Sequence, residues 1–241
     1  MLKIICIYQP NVFPPLHYFN RIMNSDVWVI LDDVQLNRKV GQTRVPLKVN
    51  GREHIFVVPV LGGNRVKIND ASIAYHQDWI SKFQSTLSHA YGKSPYFKTI
   101  WSAAVEYIEH HQQMNSSFRL FCEQFTIHML RQLGWQGEVV SSISLAENMK
   151  ASERIAEMVY QLKGTHYVGG GKGFEQYVDL GHFRSRNLSI IVQNWKCPEY
   201  PQSNGTFVPN LSILDLMANV SLDECRELLL SGGLNGWKEY R

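Results

Sequence analysis

The sequence predicts an α/β fold: a mostly parallel, helix-covered sheet with an antiparallel hairpin and a helical subdomain. Three observations carry this. Residues 2–8 and 27–31 are continuous apolar runs rich in β-branched side chains, as strands covered on both faces require. The segment "LKVNGREHIFVVPV" joins two runs through Asn50-Gly51, a strong hairpin signal. From Asp78 to about Leu133 the apolar spacing is helical.

The elements follow in order. Strand 2–8 breaks at Gln9-Pro10, and His17 to Asn24 forms a short helix before strand 27–31, giving a βαβ unit. The hairpin spans about 45–49 and 53–60, and Asn69 to Ile73 adds a short strand. Trp79, Phe83 and Leu87 fall four apart. Phe118, Phe121, Cys122, Phe125, Met129 and Leu133 make an apolar stripe that Gly134 ends. Val139 to Ile143 is a strand and Ser152 to Leu162 a helix, with Ser152 as its N-cap. "THYVGGG" runs from strand into glycine loop, and "LSIIVQNW" is a further strand. Ser212 to Ala218 and Leu222 to Leu230 are helical. No repeat or clear linker interrupts the chain, so one domain over 1–241 is expected, with a helical subdomain at about 78–133.

Composition narrows the function classes. Of 241 residues, 44% are apolar, enough for a core. The net charge of +3 is scattered without a run of like charges, and no nucleic-acid partner is expected. The four cysteines form no CxxC pair, so neither a structural zinc site nor a disulfide framework is expected. The N-terminal apolar run is too short for a signal peptide, and no run reaches the roughly 20 residues of a membrane span. A cytoplasmic protein is the expectation.

Candidate chemistry collects just past the strands, where open α/β sheets bind ligands. Gln9, Asn11, His17 and Tyr18 follow the first strand. Their layout is reminiscent of the phosphate-binding junction of HIGH-motif nucleotidyltransferases, although the second histidine of that motif is missing and Tyr18 stands near its place. The alternative is a rigid turn whose aromatic rings plug the core. Asp32 and Asp33 end the second strand and can act as base or ligand. Strand alternation lets only one of them aim into a site. Arg38, Lys39 and Arg44 then offer positive charge for an anion. The same segment can equally be a solvated acidic turn and basic loop. The stretch 169–173, with Gly170, Gly171 and Lys172, allows close backbone approach and an anion contact, or is simply flexible. It is not a P-loop. Lys150 and Arg154 are further anion contacts. Tyr200, Gln202 and Asp215 stand among prolines, as in a rigid lid or pocket wall. No HExxH-type spacing occurs, the cofactor stays unknown from the residues, and His110-His111 reads as a solvated helix face.

Six segments in order, "QPNVFPPLHYFNRI", "DVWVILDDVQL", "REHIFVVPV", "KASERIAEMV", "GTHYVGGGKGFEQYVD" and "YPQSNGTFVPNLSILDLMAN", resemble the WbqC-like family of bacteria. The resemblance runs from about residue 3 to 221. Where that family often has Gly before the Tyr-Phe pair, His17 stands here. Where it often has Asn-Arg-Asn, this chain has Thr43-Arg44-Val45, so only the arginine carries over. The resemblance implies work on an activated sugar or its acyl decoration in polysaccharide or O-antigen biosynthesis, as an acyl- or aminoacyltransferase. The substrate would be a small anionic molecule, a nucleotide sugar or an activated acyl group. Asp32 or Asp33 would be the base, with His17 next. Gln9, Asn11, Tyr18, Lys39, Arg44, the 169–173 loop, Tyr200 and Gln202 would line the pocket. An adenylating ligase using ATP and Mg²⁺, or a non-catalytic partner in a biosynthetic complex, are the competing readings.

Overall fold

The computed structural model describes residues 2–39, 41–63, 65–170, 178–203, 205–231, 233–234 and 237–241. Its centre is a six-stranded sheet built from β1 (Ile4–Tyr8), β2 (Val27–Ile30), β7 (Glu138–Ser141), β8 (His166–Gly170), β9 (Ser189–Gln193) and β10 (Lys238–Tyr240). The order is β10-β9-β8-β1-β2-β7. All neighbours are parallel except β10, which pairs antiparallel with β9 at the edge. The chain steps from β1 to β2 and β7, then returns across β1 to β8 and β9. The strand order therefore reverses between β1 and β8.

Alternation along β1 divides two cores. Ile4 and Cys6 face one way, together with Trp28, Ile30, Val168 and Ile191. They pack against α1 (Leu16–Met23), α5 (Phe118–Gln132) and the last helix, α9 (Leu222–Leu230). Ile5 and Ile7, with Val27, Val29, Tyr167 and Ile190, face α6 (Ala151–Gln161) and α7 (Gly181–Arg184). Covering on both faces explains the unbroken apolar runs that announced these strands.

The hairpin forms as expected: β3 (Arg44–Val49) pairs antiparallel with β4 (Arg52–Val57). Asn50 at φ +51° and Gly51 at φ +75° supply the two positive-φ positions of a tight hairpin turn. The hairpin is shorter than expected. Val60–Leu61 leaves it as β5 and pairs with β6, Ser72–Ile73. The expected strand at 69–73 is thus a 3₁₀ turn over Ile68–Asp70 followed by that two-residue strand.

The helical layer comprises α2 (Ile80–Tyr91), α3 (Phe97–Trp101), a π-type turn at Ser102–Glu106, α4 (Tyr107–Gln113) and α5. The stripe Phe118, Phe121, Cys122, Phe125 and Met129 is buried, and Gly134 at φ +80° ends α5. Phe13, at the unusual φ of +40°, wedges its ring among Phe83, Phe121 and Phe125, so the first junction anchors this layer. The remaining helix, α8 (Ile213–Asn219), is capped by Ser212. The Ser212 hydroxyl also donates to the Phe13 carbonyl at 2.8 Å.

Two local expectations need correction. Ser152 is not the α6 cap. The helix starts at Ala151, which places Ser152 in the first turn, and its hydroxyl accepts from the Asp179 amide at 3.0 Å instead. His111 is not solvated: it is 1% exposed, and its Nδ1 lies 2.8 Å from the Ser116 hydroxyl, because that face of α4 packs on Phe121. The four cysteines are free thiols, and burial pushes Cys6 up to about 12. Among the described residues no helix is long and apolar enough to cross a membrane.

Candidate functional site

The strand order reverses between β1 and β8, and the carboxyl ends at such a switch point are the position where open α/β sheets hold ligands in a crevice. The first junction stands over it. Gln9 accepts from Gln42 Nε2 at 2.5 Å, and Gln42 Oε1 accepts from the Asn37 amide at 2.6 Å. The Val12 amide donates to the Gln42 carbonyl at 2.9 Å. Gln42 thereby folds the basic loop back onto the junction. Asn11 is buried beside Gly41. Tyr18 is fully buried, stacked on Tyr8 at 4.4 Å, with its hydroxyl donating to the Gln9 carbonyl at 3.0 Å. Tyr18 therefore shapes the junction from beneath.

Beside it lies a polar cluster that the sequence did not announce. Arg21, near the end of α1, is buried and donates through Nε and Nη2 to Gln193 Oε1 at 3.0 and 2.8 Å. Its guanidinium carbon sits 4.4 Å from the centre of the Tyr8 ring, a cation–π contact. Gln193, the last residue of β9, donates to Asn20 Oδ1 at 2.6 Å and to the His17 carbonyl at 3.0 Å. A Cβ on Gly170 would come within 2.4 Å of Arg21 Nη2, so this glycine leaves room for the arginine. The His17 side chain is partly exposed and makes no hydrogen bond with described residues. Burial, with the Arg21 charge added, holds its imidazole down at about 4.

The paired aspartates lie one strand away, and they diverge as alternation requires. Asp32 is fully buried and turns toward α5. Its Oδ2 is 2.7 Å from Arg119 Nε, in an ion contact off the line of a hydrogen bond. Asp33 turns toward α6, and its Oδ2 accepts from Arg154 Nη2 at 2.6 Å. The Ser142 hydroxyl donates to Asp33 Oδ1 at 2.8 Å and lies 3.3 Å from Asp32 Oδ1. Burial raises the Asp33 carboxyl. The hydrogen bonds from Arg154 and Ser142 and the Arg154 charge outweigh it and hold the group below the usual carboxylate value. Arg154, expected as an anion contact, has Asp33 for its anion.

The remaining candidates spread out. Among the described residues, Gln35, Leu36, Asn37, Arg38 and Lys39 line a cavity of about 660 Å³ past the end of β2. Lys39 is exposed there, whereas Arg38 is tied to loop carbonyls, including Gly62 at 2.8 Å. Arg44 opens β3 half-buried and makes no ion pair with described residues. Tyr200 and Gln202 belong to a separate network. Both donate to Asp215 Oδ2, at 2.8 and 2.9 Å, while Gln202 also exchanges two bonds with the Val208 backbone. Burial pushes the Asp215 carboxyl up, with partial relief from Tyr200, Tyr91, Lys48 and Gln202. Gly171 and Lys172 lie outside the described residues. The structure thus brings Gln9, Asn11, His17, Tyr18 and Gly170 to one end of the sheet at β1 and β8. Asp32 and Asp33 are next to them, and Tyr200 and Gln202 form their own network. Among the described residues, no group of three or more His, Cys, Asp or Glu side chains could hold a metal ion.

Over 231 residues the chain is 27% identical to uncharacterized protein Rv1507c of Mycobacterium tuberculosis, covering 92% of this chain and 96% of that protein. No solved structure matches. The model of the WbqC-like protein family matches residues 9–227, a span holding the junction, Arg21, both aspartates and the Asp215 network. The chain belongs to the WbqC-like protein family.

Proposed function

We propose that the protein is an enzyme of polysaccharide biosynthesis that transfers an acyl or aminoacyl group to a nucleotide-linked amino sugar bound at the β1/β8 crevice. The observation that carries this reading is the reversal of strand order, with the Gln9–His17 junction standing directly over it. Such a crevice suits a nucleotide-sized ligand, and the family resemblance points to activated sugars.

In the reaction the sugar amine attacks the carbonyl carbon of an activated acyl donor, a thioester or mixed anhydride. The new C–N bond forms, the bond to the thiolate or phosphate leaving group breaks, and one proton leaves the nitrogen. We assign that proton to His17. Its ring is neutral at physiological pH and is held by no described side chain. Asp32 and Asp33 each already face an arginine. As a base, a neutral imidazole of low pKa helps only once the attacking nitrogen has become acidic in the tetrahedral intermediate.

Purified protein incubated with UDP-linked amino sugars and acyl or aminoacyl donors, with and without ATP and Mg²⁺, tests the reading by mass spectrometry. An N-acylated nucleotide sugar is expected. His17→Gln should keep sugar affinity and lose turnover by roughly 100-fold. Release of AMP and pyrophosphate would favour the adenylating ligase. Tight binding with no turnover on any donor would favour a non-catalytic partner.

A further inference from the structure

We infer that Arg21 is an anion anchor: its buried guanidinium, between Tyr8, Gly170 and Gln193, receives a phosphoryl group of the ligand in the β1/β8 crevice. The inference rests on the reading that this crevice holds a nucleotide-linked substrate, and it names the residue that grips the phosphate.

Burial is the first support. Arg21 is 6% exposed yet forms no ion pair with any described residue. A buried guanidinium is costly unless an opposite charge compensates it. Its polar neighbours are an amide, Gln193, and the Tyr8 ring, and neither carries negative charge.

The titratable groups around it are the second support. Burial raises Tyr8, Tyr18 and Tyr167, pushes the Cys6 thiol up to about 12, and lowers His17 to about 4. From α1, β1 and β8, every one of these groups is uncharged near neutral pH. None of them offers Arg21 an opposite charge.

Geometry is the third support. Gln193 takes Nε and Nη2 through one oxygen and fixes the plane of the fork. Gly170 supplies the space, since a Cβ there would stand 2.4 Å from Nη2 and 2.9 Å from Cζ. The result is a preset guanidinium at the carboxyl ends of β1, β8 and β9, where a phosphate would meet a charge-assisted donor.

The test reads the His17 ring by NMR in protein carrying labelled histidine, titrated with inorganic pyrophosphate and separately with UDP. A phosphoryl anion at Arg21 offsets the charge that depresses His17. Its titration midpoint should therefore rise on adding either probe. In Arg21→Gln the midpoint should start higher, no longer respond, and pyrophosphate affinity should fall about tenfold or more. Arg21→Lys keeps the charge but loses the planar fork. It serves if the Gln variant does not fold, and should bind pyrophosphate more weakly than wild type. A wild-type His17 signal indifferent to saturating pyrophosphate and UDP overturns the anchor. So does a folded Arg21 variant that binds both as wild type does. The two readings separate cleanly. Pyrophosphate binding that depends on Arg21, without acyl transfer on any donor, keeps the anchor and removes the transferase. Acyl transfer with unchanged KM in an Arg21 variant does the reverse.

Discussion

The carboxyl end of the sheet treats charge in two opposite ways, one strand apart. At the end of β2, Asp32 meets Arg119 of α5 and Asp33 meets Arg154 of α6, one on each face of the sheet. At β1 and β8, Arg21 is buried with an amide and an aromatic ring for company. The first arrangement is complete in itself and clamps helices to both faces. The second leaves a positive charge with no ion pair among the described residues. A buried group whose charge is already matched serves the fold, and one whose charge is not matched points to a ligand.

The sharpest way to break this contrast is to unbalance the matched side. Arg119→Ala strands a fully buried Asp32 carboxylate, and should cost about 3–5 kcal/mol in urea unfolding. A loss below about 1 kcal/mol would mean that the pair is not structural. Next in size is Gly170→Ala. Its added methyl must displace Arg21 or the β8 backbone, costing about 1–3 kcal/mol and weakening pyrophosphate binding together. Wild-type behaviour in both assays would show that the close approach has no consequence.

Tyr200→Phe removes one donor to the buried Asp215 and should cost about 1–3 kcal/mol, with turnover retained, because the side-chain bonds of Tyr200 and Gln202 go to Asp215 and Val208 and not to Arg21, Gln193 or His17. Lost turnover with intact stability would return Tyr200 to the site. The smallest effect is on pH. The Asp33 carboxyl is depressed in the folded state, so its contribution is fully present above the ordinary carboxylate value near 3.9. It fades as pH falls through the lower folded value. His17 adds to the slope at higher pH. Between its ordinary value of 6.5 and about 4, the unfolded chain binds a proton that the folded one does not, so stability falls as pH falls. Arg154→Ala should flatten the acid limb below about pH 4 and leave the limb between 4 and 6.5 untouched.

Much of the frame was legible in the sequence because the central strands are apolar on both faces. The unbroken runs gave the parallel strands, and Asn50-Gly51 gave the hairpin with both its positive-φ residues. The opposed directions of Asp32 and Asp33 followed from alternation alone. Their partners did not, since Arg154 stands 121 residues along the chain from Asp33. Arg21 went unnoticed because an arginine near the end of a short helix suits the helix dipole without any further role. Gly170 read as room for a ligand's close approach or as loop flexibility, and the group pressed against it is Arg21. Tyr200 and Gln202 read as a pocket wall. Nothing local indicated that Asp215 would gather them into a network of its own.

Hydrogen exchange measured by mass spectrometry, with and without a UDP-linked amino sugar, asks most directly which of the two regions holds the substrate. The account predicts ligand-dependent protection in peptides covering residues 9–21 and 166–170, with little change at 138–154, where Arg154 and Ser142 already hold Asp33. Protection confined to 138–154, or none in 9–21 at saturating ligand, would contradict it.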